Sequence, residues 1–152
     1  MGRQEPEFAV FSARWRNVRA RTFAILDKIP KRHRTARVWS GGRSVLEVVA
    51  HLTAAQRAIL DGLESGSIRF GTAEADAAER GWDELLADAR DLDQTLERIL
   101  LDKPAHWWNE EISDGLSRST WLWEMLEHEI HHRAQIPLAI RVNGGVPPRI
   151  YA

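Results

Sequence analysis

The sequence predicts an all-α fold, a four-helix bundle, and three observations carry that prediction. Apolar residues recur at spacings of three and four in four separate stretches, helix start and stop signals bracket those stretches, and no credible strand set or internal repeat competes with them. A chain of 152 residues, 43% apolar and 28% charged, has the size of one domain spanning 1–152. Such a chain buries roughly 70% of its unfolded surface, so it needs no disulfide or structural metal to fold. Any metal it holds must serve chemistry.

In the first stretch Phe8, Phe11, Trp15, Val18, Thr22, Ile25 and Ile29 draw one stripe, with Arg14, Arg16, Arg19 and Arg21 assigned to the other faces and Pro30 as the stop. Residues 30–43 form a polar connection closing in Gly41-Gly42, after which Ser44-Val45-Leu46-Glu47 has the S-x-x-E form of a capping box. The second helix carries Val45, Val48, Leu52, Ile59 and Leu63 and is broken by Ser65-Gly66-Ser67. The third carries Trp82, Leu85, Leu86, Ala89, Leu92, Leu96 and Ile99, preceded by an Ala/Glu-rich lead-in from Thr72 and followed by Lys103-Pro104. A long irregular connection comes next, in which Asp114-Gly115 suits a short hairpin or a plain loop. The fourth helix is expected from about Ser119 or Thr120 to Gly144-Gly145, with a kink where Pro137 removes a backbone donor and crowds the Arg133 carbonyl.

Composition excludes several function classes. With no Cys there is no disulfide framework, zinc ribbon, iron–sulfur cluster or thiol nucleophile. No apolar run approaches a membrane span and the N-terminus has no signal-peptide core, so a cytoplasmic location is expected. The net charge of −1 hides a basic segment: residues 1–43 hold eleven Lys/Arg against three Asp/Glu, and residues 44–152 hold ten against nineteen. A nucleic-acid-binding module is therefore one alternative, although charges alternating with apolar positions at helical spacing usually mark a solvated face.

The inward stripe of the fourth helix is the informative feature: Trp121, Met125, His128, His132, Gln135, Ala139 and Val142. His128 and His132 stand one turn apart on one face, the spacing with which a helix gives two ligands to one metal. Neutral imidazoles in an apolar seam must satisfy both nitrogens, and a bound cation does so. His51 lies beside the apolar stripe of the second helix and can point into the same core, which completes a His₃ set from two helices. His131 is turned ~100° from His132 and serves either as a substrate-facing neighbour or as an ordinary rim residue. His33 and His106 have no partner at ligand spacing. The string His128-Glu129-Ile130-His131-His132 also reads as H-E-x-x-H, but no His, Asp, Glu or Cys follows it to supply a third peptidase ligand, and Glu129 is rotated off the seam.

Trp39, the segment Ser44–Leu52 with His51 in it, and His128-Glu129-Ile130-His131-His132-Arg133-Ala134-Gln135-Ile136 together resemble the DinB/YfiT-like superfamily over nearly the whole chain. The resemblance implies a four-helix bundle with an unusual connection order, often a homodimer, whose histidines bind a divalent metal. Carried onto this chain, the ligands are His51, His128 and His132, the set already reached from spacing. It also implies chemistry of the S-transferase or isomerase type with an exogenous low-molecular-weight thiol such as mycothiol or bacillithiol. The chain departs from the family pattern at Ala134, where Gly is common, and at Pro137.

The expected function is thus a metal-dependent enzyme, a transferase or hydrolase, that activates a thiol or water against a small electrophile, with Zn, Ni, Fe or Co all suited to His₃. Glu47 and Glu124, each one turn before a ligand, together with His131 and Gln135, are candidate supporting or pocket residues. Tyr151 is a further candidate for the site mouth. The other alternative is a non-catalytic, stress-associated metal-binding bundle. Trp107, Trp108, Trp121 and Trp123 suit a pocket wall, a dimer interface or plain core packing.

Overall fold

The computed structural model describes residues 6–71 and 79–149. Four long helical segments form the bundle: α1 (Pro6–Leu26), α2 (Val45–Ser65), α3 (Trp82–Asp102) and a broken fourth made of α5 (Arg118–Arg133) and α6 (Gln135–Val142). A one-turn 3₁₀ segment (Lys31–His33) interrupts the first connection, and α4 (Ala105–Asn109) and a hairpin, β1 (Glu111–Ser113) with β2 (Leu116–Ser117), occupy the long one before α5. The Thr72 lead-in falls partly outside the described residues.

The helix boundaries follow local chemistry. At Ser44 the hydroxyl accepts from Glu47 N–H at 3.1 Å while the Glu47 carboxylate accepts from Ser44 N–H at 2.6 Å, so the expected capping box is formed. Gly66, at φ 82°, closes α2. Asp114 and Gly115 have φ of 54° and 70°, the two positive values of a type I′ hairpin turn, so the hairpin and not the plain loop is realised. Helix α5 starts at Arg118, slightly earlier than expected, because Ser117 caps it by accepting from Thr120 N–H at 3.2 Å. The break expected from Pro137 occurs at Ala134, next to the Arg133 carbonyl that the proline leaves without its helical donor.

Helix α2 packs on both α3 and α5, and α1 packs on α5 and α3, which puts α1 and α2 at opposite corners. The helices are therefore not ordered around the bundle as they are along the chain; their connections are long enough to allow this. Two apolar clusters fill the interior. One joins Ile25, Val45, Val49, Leu85, Ile136 and Ile140; the other joins Phe11, Trp15, Leu63, Leu96, Trp108 and Leu122. Val142 is 58% exposed and not inward; the helix break at Ala134 lies between it and the histidines. The tryptophans mostly resolve as packing: Trp108 and Trp121 are buried and Phe11 meets Trp123 edge-on at 5.3 Å.

Between the clusters lies a polar layer that the apolar stripes do not announce. Arg19, read from the sequence as facing away from the core, is buried, because Asp93 of α3 and Glu129 of α5 face it at 2.9 and 3.1 Å. Thr22 Oγ1 donates to Glu129 Oε1 at 2.7 Å, Arg133 donates to the Val18 carbonyl at 2.9 Å, and Gln56 and Trp15 both donate to Asp93. Burial opposes the charge on Arg19, yet the two carboxylates outweigh it and hold its pKa above the ordinary arginine value.

Candidate metal centre

Helix α5 is buried on two faces. On one face Leu122 and Leu126 join an apolar cluster and Glu129 and Arg133 enter the polar layer, while Met125, His128 and His132 follow a neighbouring stripe. Across that second stripe stands His51, in the middle of α2. His51 Nε2 lies 3.0 Å from His128 Nε2 and 3.3 Å from His132 Nε2, and one ring nitrogen from each of the three falls within 4.8 Å of the others. The two helices thus bring the whole expected triad to one point.

The donor set fits a divalent cation. Burial, reinforced by the neighbouring His132 and His51 rings, pushes the pKa of His128 down to about 4, and burial lowers that of His132 as well. Neutral imidazoles are the form that ligates. Hydrogen bonding cannot satisfy three converging nitrogens, since a neutral ring offers one N–H to one neighbour. A tetrahedral ion ~2.0–2.1 Å from each nitrogen would separate its ligands by roughly 3.3–3.4 Å, close to the His51 distances. Three histidines placed in this way could hold a metal ion.

The four candidate supporting residues occupy different places around the triad. The Glu47 carboxylate caps α2 and pairs with Arg37 at 2.7 Å, and the Ser44 N–H and that guanidinium hold its pKa low. Glu124 is exposed on the outer side of α5. His131 is exposed too, with its ring edge-on to His132 at 4.8 Å, which makes it a rim neighbour. Gln135 lies near enough to His132 to favour its protonated form, but His132 Nδ1 is buried with no well-formed hydrogen bond. Tyr151 lies outside the described residues.

Beside His51 and His128 opens a cleft of about 300 Å³ lined by Ala54, Ala55 and Phe70. Sequence reasoning missed it: Ala54 and Ala55 look like any small core residues, and Phe70 sits in a connection. The signal for Ala55 was its spacing of four from His51, which puts both on one face. Phe70 is held in place by a close approach further back. A Cβ on Gly62 would lie 2.3 Å from Ile68 Cγ1, and Ile68 N–H donates to Ser113 Oγ at 2.9 Å. The Phe70 ring then sits 6.2 Å from that of Trp121.

A bundle whose second and fourth helices aim three histidines at one point defines the class. The chain belongs to the DinB family, whose profile matches residues 4–152. Its fold is similar to that of a solved DinB-like protein, YjoA of Bacillus subtilis, with a TM-score of 0.70 at 19% identity over 91% of this chain and 95% of that one. No curated protein matches the chain. Among the described residues no helix is long and apolar enough to cross a membrane.

Proposed function

We propose that the chain is a metal-dependent enzyme that activates a low-molecular-weight thiol, or water, against a small electrophile, with His51, His128 and His132 as the metal ligands. The observation that carries this reading is the convergence of three imidazoles at the wall of an open cleft. A set of three protein ligands is the arrangement of catalytic sites, whereas structural sites close with four. A divalent ion held by His51, His128 and His132 would supply Lewis-acid chemistry, lowering the pKa of a thiol or water near neutral pH.

The chain's own residues have separable tasks. The neutral histidine rings would hold the ion, and Ala54, Ala55 and Phe70 give the adjoining space an apolar lining. The polar layer of Arg19, Asp93, Glu129 and Thr22 ties α5 to α1 and α3 and so fixes the register of the ligand helix. That layer also bears on the nucleic-acid alternative. Arg16, Arg19 and Arg37 of the basic segment are paired with Glu97, Asp93, Glu129 and Glu47, which leaves less positive charge for a phosphate backbone.

Elemental analysis of untagged protein tests the reading, wild type beside His51→Ala, His128→Ala and His132→Ala, with helicity checked on each. About one divalent ion per chain, lost in all three folded variants, is expected. A wild-type protein that stays metal-free after loading overturns the proposal. Metal retained without any thiol-dependent turnover would instead indicate a binding protein.

A further inference from the structure

We propose that the cleft beside the histidines receives the uncharged, apolar body of a small substrate, an aromatic ring or two or an alkyl group of similar size. The orientation of that substrate, reactive end toward the triad, rests on the metal-site reading above; the cleft's preference for apolar ligands does not.

The lining carries the inference. Among the described residues the cleft is lined, apart from the rings of His51 and His128, by Ala54, Ala55 and Phe70, none of which offers a side-chain donor, acceptor or charge. A polar, heavily hydroxylated or multiply charged molecule would lose its hydration there without replacement, at a cost of kilocalories per group. An apolar body loses nothing by the exchange. Size agrees as well. A dry cavity of roughly 150 Å³ holds benzene, and this cleft has about 300 Å³. The space exists because alanines stand where α2 elsewhere carries Leu52, Ile59 and Leu63. Finally, Phe70 keeps half its surface in water at the outer wall, an apolar face that a ligand would cover.

Two hydroxamates with the same metal-binding head and different bodies test this on zinc-loaded protein by calorimetry. Benzohydroxamate should bind about tenfold tighter than acetohydroxamate, or more, through its phenyl group. Ala55→Leu, compared at equal zinc loading, should erase that difference. If that variant does not fold, Phe70→Ala, at an exposed position, should shrink the difference. Metal-free protein is titrated in parallel with benzyl alcohol, read from the ring-proton shifts of Phe70 and Trp121, so that the cleft is tested even if no zinc is retained. Loss of zinc binding alone then refutes the metal centre. Equal affinity of the two hydroxamates, a phenyl preference that survives both variants, or no ring-proton shift with benzyl alcohol overturns the apolar cleft.

Discussion

Arg19 Nη1 lies 3.1 Å from Glu129 Oε1, with the two side chains only 7% and 4% exposed, and Glu129 is the residue next to His128. The charges survive burial because each has further partners, Asp93 for the guanidinium and Thr22 for the carboxylate. Removing one partner leaves an uncompensated buried charge. Glu129→Ala is therefore expected to cost ~3–5 kcal/mol, read from the shift of the urea midpoint at unchanged m-value. A loss below about 1 kcal/mol would mean that the pair is not buried as described.

Acid should weaken the metal-free protein through its histidines. An unfolded histidine titrates near ~6.5, while folded His128 titrates at about 4, so between those values the unfolded chain holds more protons. Stability consequently rises with pH across that window and falls on acidification, with His132 acting in the same direction. Melting temperatures of metal-free protein between neutral pH and pH ~5 check this, and His128→Gln should flatten the slope. A melting temperature that climbs on acidification contradicts it.

Glu47 and the triad should separate cleanly. Ser44→Ala removes the acceptor for Glu47 N–H and is expected to cost ~1 kcal/mol. Glu47→Ala should cost a comparable amount with no change in metal content, since its carboxylate serves Ser44 N–H and Arg37. Metal loss in Glu47→Ala would restore the supporting role expected from its spacing to His51.

Gly62 is the position where α2 touches the chain that follows it. The added methyl of Gly62→Ala would lie 2.8 Å from Ile68 Cα and nearer still to its side chain, so the connection must shift. A cost of ~1–3 kcal/mol is expected, together with changed ring-proton shifts for Phe70 and Trp121 by NMR. Unchanged shifts would show that Phe70 is not carried by that contact.

What the sequence revealed, and what it concealed, follows from the range of the interactions. The capping box at Ser44, the stripes of α1 to α3 and the His128–His132 spacing are local, and periodicity alone exposes them. His51 was placed with them because it flanks a stripe on another helix. Arg19 was misassigned because an arginine beside an apolar stripe reads as solvated until its partners, 74 and 110 positions along the chain, are brought up to it. Thr22 within the stripe, and Leu122, Leu126, Glu129 and Arg133 at spacings of four, three and four, were the available hints of a second buried face. Val142 reads as inward only if the helical pattern runs straight through Ala134, where the helix is broken. The cleft could not be read at all, since an empty volume is a property of what neighbouring residues leave unfilled.

The outer wall of that cleft stands on a different segment from the ligands. Phe70 rides on a connection that joins the bundle through Gly62 and through Ser113 of a two-stranded hairpin, while the histidines stand on α2 and α5. Ile68, Ile112 and Leu116 of these segments pack against one apolar cluster, whereas Phe70 is half exposed and belongs to neither cluster, so a change at position 70 leaves the packing beneath the ligands in place. Surface loops accept substitution and insertion at little cost to a scaffold. Descendants of this chain can therefore acquire a new outer wall beside an unchanged triad, so that what the cleft admits diverges while the histidine geometry persists.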